Sequence, residues 1–164
     1  LELKPMENIN ILIADDKREI CESIEENLKI EFLKFDGIDP DKIIFQKAFT
    51  DHAYKHGCKL IDEGFSPDIC IFDLVFNGDT GADLYKYCKI NLKNKPIHLC
   101  IYTGTEKTFE KRKDAEIMAS EYHGQVVIIP KPNISDVLFW FGNVLMKEFK
   151  YERKYEEEDP FDLL

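Results

Sequence analysis

Basic residues are in deficit in this chain. Lys and Arg number 22 against 32 Asp and Glu over 164 residues, a formal net charge of −10. A duplex nucleic-acid binder is therefore not expected, because phosphate contacts need clustered cations. Long apolar runs are missing too: none approaches the roughly 20 residues that a membrane-spanning helix needs. The cysteines, Cys21, Cys58, Cys70, Cys88 and Cys100, are odd in number and show no C-x-x-C spacing. No close Cys and His pairs of the kind that bind zinc are present, and His52, His56, His98 and His123 lack ligand spacing. The thiols read as reduced core residues of a cytoplasmic protein. Leu1 to Asn10 is mixed and charged, unlike a secretory signal. Internal repeats and low-complexity blocks are also absent.

What remains is 44% hydrophobic residues, enough for a sizeable core in one domain. Short apolar runs alternate with longer amphipathic stretches. The runs are Ile9–Ala14, Ile43–Phe49, Ile69–Leu74, Ile97–Tyr102 and Val126–Ile129. Helices are expected near 17–32, after Asp51, at 82–92, at 106–122 and at 133–151. Asp16 and Asp51 stand where caps of the first two helices would be. The domain is placed at 8–151, with leader residues 1–7 before it and an acidic tail or linker, 152–164, after it. The run Glu156–Asp159 is expected to fray, no DNA-binding module is read in the residues after the domain, and both a stand-alone domain and a piece of a longer protein fit the sequence.

Five strand–helix repeats imply a parallel sheet with helices on both faces. Apolar residues run continuously through the strands, as burial on both faces requires. The expected fold is α/β, a doubly wound five-stranded parallel sheet of flavodoxin-like order 2-1-3-4-5, (βα)5. In such a sheet ligands bind at the carboxyl ends of the strands. The polar residues that end the strands therefore carry the functional reading: Asp15 and Asp16 after the first, Asp73 after the third, Thr103 after the fourth and Lys131 after the fifth. Three carboxylates in one crevice repel unless a cation neutralises them. Oxygen-only ligation suits Mg2+. A carboxylate beside that ion can act as nucleophile toward a phosphoryl group and form an acyl phosphate. Lys131 would supply a point charge, and Thr103 a hydroxyl donor.

The sequence resembles the receiver domain of response regulators in two-component signalling. The resemblance rests on Ile11-Leu12-Ile13-Ala14-Asp15-Asp16, on Asp68 through Asp73, on Tyr102-Thr103-Gly104 and on Lys131-Pro132, and Gly81 matches a loop glycine. It implies Asp73 as phosphoacceptor, Asp15, Asp16 and Asp73 as Mg2+ ligands with the Val75 backbone carbonyl, Thr103 as switch hydroxyl and Lys131 as phosphate contact. It further implies a histidine kinase or phosphotransfer protein as donor, slow autodephosphorylation, and a Lys131–Pro132 bond that is commonly cis. Ile128 stands where the family often has an aromatic switch residue, and Asn77 where it has a proline. The segment between first helix and second strand is long, read as a helix extension or partner surface.

Bland readings compete with these. Asp15 and Asp16 could be a cap and a solvated charge, Asp73 a loop carboxylate, Lys131 a turn lysine, and Thr103 a helix cap, for which Thr105 is better placed. Asp79 reads as a loop charge. The last helix carries Ile134, Leu138, Phe141 and Leu145 in one stripe, widened by Val137, Phe139, Trp140 and Val144. That width exceeds the usual surface-helix stripe and points to a partner, a homodimer through helix 133–151, or packing under the tail. Two other functions remain open: a receiver-like interaction module that works without phosphate, and a Mg-dependent aspartyl phosphatase. The latter usually carries an acid/base Asp where Val75 stands.

Overall fold

The structure, a computed structural model, describes residues 7–104, 109–122 and 124–154. Five strands, β1 (Ile9–Ala14), β2 (Ile43–Ala48), β3 (Ile69–Phe72), β4 (His98–Thr103) and β5 (Val126–Pro130), form one sheet of order β2-β1-β3-β4-β5. Every adjacent pair is parallel. The helices are α1 (Arg18–Phe32), α2 (Ala53–Asp62), α3 (Gly81–Asn91), α4 (Phe109–Glu121) and α5 (Ile134–Lys147). This is the flavodoxin-like (βα)5 arrangement that the alternating runs predict. None of the described helices is long and apolar enough to cross a membrane.

Side-chain alternation along the strands feeds two cores. On one face Leu12, Cys70, Phe72, Leu99 and Ile101 meet Ala53 and Ile61 of α2, Leu84 and Tyr85 of α3, and Ala115 and Met118 of α4. On the other, Ile11, Ile13, Ile69, Ile71 and Cys100 meet Ile24, Leu28 and Phe32 of α1 and Val137, Phe141 and Leu145 of α5. Phe32 and Phe141 touch edge to face, with centroids 5.0 Å apart. All five cysteines are unpaired, and all but Cys58 are buried.

The caps differ from expectation. Lys17, not Asp16, precedes α1, and His52, not Asp51, precedes α2; neither contributes a side-chain cap. At α1 the Asp15 carboxylate accepts the Lys17 N–H at 2.9 Å. At α2 the backbone does the work: Ala53 N–H donates to the Thr50 carbonyl. Thr80, in contrast, forms a capping box with Asp83 at the start of α3. The last helix ends at Lys147, short of Tyr151. Lys150 takes a positive φ of 61° and the Tyr151 N–H returns to the Leu145 carbonyl. Phe149 and Tyr151 keep the apolar rhythm because they pack on the core from this turn.

The long segment after α1 is not a helix extension. It is a turn followed by a short 3-10 helix at Pro40–Lys42. Residues 152–154 fold back onto it: Asp36 N–H donates to the Glu152 carbonyl, and Lys154 N–H to that of Lys34. Arg153 lies over the Phe35 ring at 4.9 Å and reaches the buried Glu31 carboxylate at 3.3 Å. On α5, Phe139 is 68% exposed, so the wide apolar stripe leaves one aromatic ring in solvent. The run 156–159, Thr105, Glu106 and His123 lie outside the described residues.

Phe141→Ala removes the ring that joins α5 to α1. It should lower the free energy of unfolding by about 3–5 kcal/mol, read from urea denaturation. A loss below about 1 kcal/mol, within what exposed sites give, would mean the α1–α5 seam does not hold the fold.

Candidate functional site

Backbone hydrogen bonds fix the site before any side chain acts. Ala14 pairs with Phe72 across β1 and β3, so Asp15 and Asp73 leave the sheet side by side. Asp15 N–H donates to the Ala48 carbonyl at 3.1 Å and Asp73 N–H to the Ala14 carbonyl at 2.8 Å. Thr103 pairs with Pro130, and Lys131 N–H then donates to the Thr103 carbonyl at 2.8 Å. Residues 116 positions apart in the chain thereby share one rim: Lys131 Nζ lies 2.8 Å from Asp15 Oδ2. The same ammonium is 3.5 Å from Asp73 Oδ2.

Asp15, Asp16 and Asp73 each place an oxygen within 4.8 Å of the others. Asp15 is buried, while the other two keep partial access to solvent. The Asp73 carboxyl is pushed up from its ordinary value, first by burial and then by the Asp15 charge. Lys131, the Leu74 N–H and the Thr103 hydroxyl pull it down without cancelling the rise. Asp16 is also raised, by burial first and then by its hydrogen bond and repulsion with Asp15, with Asp73 adding to it. Burial lowers the Lys131 ammonium, but its contacts with Asp15 and Asp73 outweigh that and raise it overall. Three acids and one ammonium leave an excess of negative charge, which adds to burial in raising Asp16 and Asp73. The set is all oxygen, the chemistry a hard cation prefers.

The turn after Asp73 is built to bring α3 close. The Leu74 N–H donates to Asp73 Oδ1 at 2.8 Å. Val75 bridges to Thr80, Phe76 N–H donates to the Asp79 carbonyl, and Gly81 N–H donates to the Leu74 carbonyl. Gly78 turns the chain with a φ of 94°, where glycine carries no Cβ penalty. Gly81 is there for space, since a Cβ would overlap the Asp73 carbonyl oxygen and press on Phe72. Asp79 lies outside the three-carboxylate group.

The five side chains read from the strand ends, Asp15, Asp16, Asp73, Thr103 and Lys131, are brought together at one edge. The Lys131–Pro132 bond is cis. Among the described residues, His98 is buried at the other end of β4, 3.8 Å from Glu148, and His56 packs edge-on to Phe49, both away from the carboxylates. Sequence reasoning missed two supports. Lys131 Nζ lies 5.7 Å from the centroid of the Tyr102 ring. The Cys21 thiol, kept protonated by burial and by Asp15 with its pKa up to about 12, points to the Asp15 and Ala48 carbonyls. The signal for the first was its place beside Thr103. For Cys21 there was none, because a thiol in an amphipathic run reads as core.

The five-stranded parallel sheet of order 2-1-3-4-5 flanked by five helices is the receiver-domain fold. Solved structures bear this likeness over most of the chain. A response regulator receiver domain protein from Clostridium thermocellum aligns with a TM-score of 0.61 at 20% identity, covering 87% of this chain and 98% of that one. A response regulator receiver protein from Sinorhizobium medicae aligns at 0.58 and 16%, covering 85% and 95%. A receiver domain of a Francisella response regulator aligns at 0.54 and 22%, covering 87% and 99%. No family model and no curated protein matches the sequence.

Two outcomes test this geometry. Gly81→Ala should cost about 1–3 kcal/mol, as overpacking does, and should move the amide resonances of Asp73 and Leu74; unmoved resonances would show that the loop has room. The second concerns pH. A raised acid stabilises the folded chain fully below its unfolded value of 3.8, and that stabilisation is lost as pH rises through the folded value. Asp73→Asn should therefore gain stability relative to the unsubstituted chain as pH goes from about 4 to 7, read by thermal melts without divalent ions. A constant difference across that range would remove the charge crowding.

Proposed function

We propose that this protein is a phosphoacceptor signalling switch, with Asp73 taking a phosphoryl group from a histidine kinase or phosphotransfer protein. The observation that carries the reading is the convergence of Asp15, Asp16 and Asp73 within 4.8 Å, with Lys131 Nζ 3.5 Å from the Asp73 carboxylate. The donor set fits Mg2+: Asp15, Asp16 and Asp73 would hold it, with the Val75 carbonyl. When bound, the ion neutralises the crowded carboxylates and the incoming phosphoryl oxygens.

In the transfer, an Asp73 oxygen bonds to phosphorus as the P–N bond to the donor imidazole breaks, and the electron pair leaves with the imidazole nitrogen. Asp73 is suited to this by its place on a rigid strand end and by its partial access to solvent. Lys131, already within reach of that carboxylate, pairs with a phosphoryl oxygen, and Thr103 donates its hydroxyl to another. One of the structures of this fold is of a phosphorylated response regulator, the cyanobacterial phytochrome response regulator RcpA, at 13% identity and a TM-score of 0.55. A phosphatase is less well supported, because Val75 occupies the acid/base place and is tied up in its bridge to Thr80.

The output is a changed affinity for a protein partner. Ile128 is partly buried on the core rather than a swinging aromatic. That favours, as a second reading, a module that binds its partner without phosphate. Phe139 on α5 supports self-association through residues 133–151 as one form of output.

The test is incubation with a small phosphodonor, with Mg2+ or with a chelator, followed by intact-mass measurement. The unsubstituted chain should gain one phosphoryl group with Mg2+ only, and Asp73→Asn none. Equal labelling of both proteins sinks the reading. Labelling that leaves partner affinity and oligomeric state unchanged, with beryllofluoride as a stable mimic, selects the phosphate-independent module.

A further inference from the structure

At the amino edge of the sheet, away from the carboxylates, lies an apolar groove of about 300 Å3. Ile30, Leu33, Ile38 and Phe45 line it, with Lys29 and Lys154 among its walls. Two of these side chains are left largely in solvent, Ile30 at 59% and Leu33 at 64% exposed. We propose that this groove is the docking site of the chain's own C-terminal segment, with Phe161, Leu163 and Leu164 as apolar anchors.

Three observations select that occupant. The chain is delivered to the groove: Lys154 N–H is bonded to the Lys34 carbonyl, and Lys154 itself forms part of the wall. Ten residues follow, Tyr155 to Leu164, and at roughly 3.3 Å per extended residue the six before Phe161 span up to about 20 Å, enough chain to turn back to a groove that Lys154 already lines. The composition also fits, as Glu156, Glu157, Glu158 and Asp159 precede the apolar anchors. Lys29 and Lys154, both in the groove wall, are the cations that would receive them.

Tethering decides the competition. A short flexible linker gives an effective concentration in the millimolar range. A segment of weak intrinsic affinity then occupies the groove, and a separate partner at micromolar concentration must bind about a thousandfold more tightly to displace it. The tail is thus a built-in competitor at a surface that is independent of the phosphoryl site.

The experiment is methyl NMR and amide hydrogen exchange on the full chain and on the triple variant Phe161→Ala, Leu163→Ala, Leu164→Ala. The Ile30, Leu33 and Ile38 methyl resonances should move, those of Ile11 and Ile71 should not, and exchange across residues 30–38 should be about tenfold faster in the variant. Leu33→Asp, at an exposed position, should reproduce the loss of protection from the groove side. Identical groove resonances in the full chain and the triple variant overturn the proposal. So does protection that rises with protein concentration together with dimer mass, since the occupant is then a second copy.

Discussion

The ion pair between Lys131 and Asp15 is the interaction on which the rest of this molecule turns. Crowding three acids at one rim is unfavourable in any partly buried place, and a single ammonium at 2.8 Å partly offsets it. The pair ties the fifth strand to the first across two intervening strands, so it reports on the whole sheet being closed in the right order. It also leaves the residual negative charge on Asp16 and Asp73, the two acids with access to solvent. In a rim balanced in this way Lys131 stands between two carboxylates, 2.8 Å from Asp15 and 3.5 Å from Asp73.

The scaffold that holds this rim is a sheet packed with apolar side chains on both faces. The two layers of apolar side chains on either face of the sheet share almost no polar groups with the rim. Asp15 and Thr103 are the exceptions, buried polar groups at the ends of β1 and β4 that belong to both. Close backbone approach at Gly81 transmits the position of Asp73 directly to the start of α3. Movement of the acid and movement of that helix are therefore mechanically linked.

Much of this was legible in the order of residues. Continuous apolar runs ending in Asp15, Asp73, Thr103 and Lys131 place those side chains at one edge once the sheet is parallel, and the register Ala14 to Phe72 is what such runs dictate. The helix ends were less legible. Asp16 looks like a cap because caps and metal-type carboxylates share a residue type, and only the pull of its neighbours decides between them. Phe149 and Tyr151 continue a helical rhythm that the positive φ at Lys150 interrupts. The fold-back of Arg153 onto Glu31 and Phe35 was invisible, since it joins residues more than a hundred positions apart with no periodic pattern between them.

That fold-back has a consequence for anything attached to this polypeptide. Because Glu152 and Lys154 are stitched to the turn after α1, residues 152–154 lie against that turn rather than continuing off the end of α5. Whatever follows Lys154 starts from beside the turn after α1, away from the acidic rim.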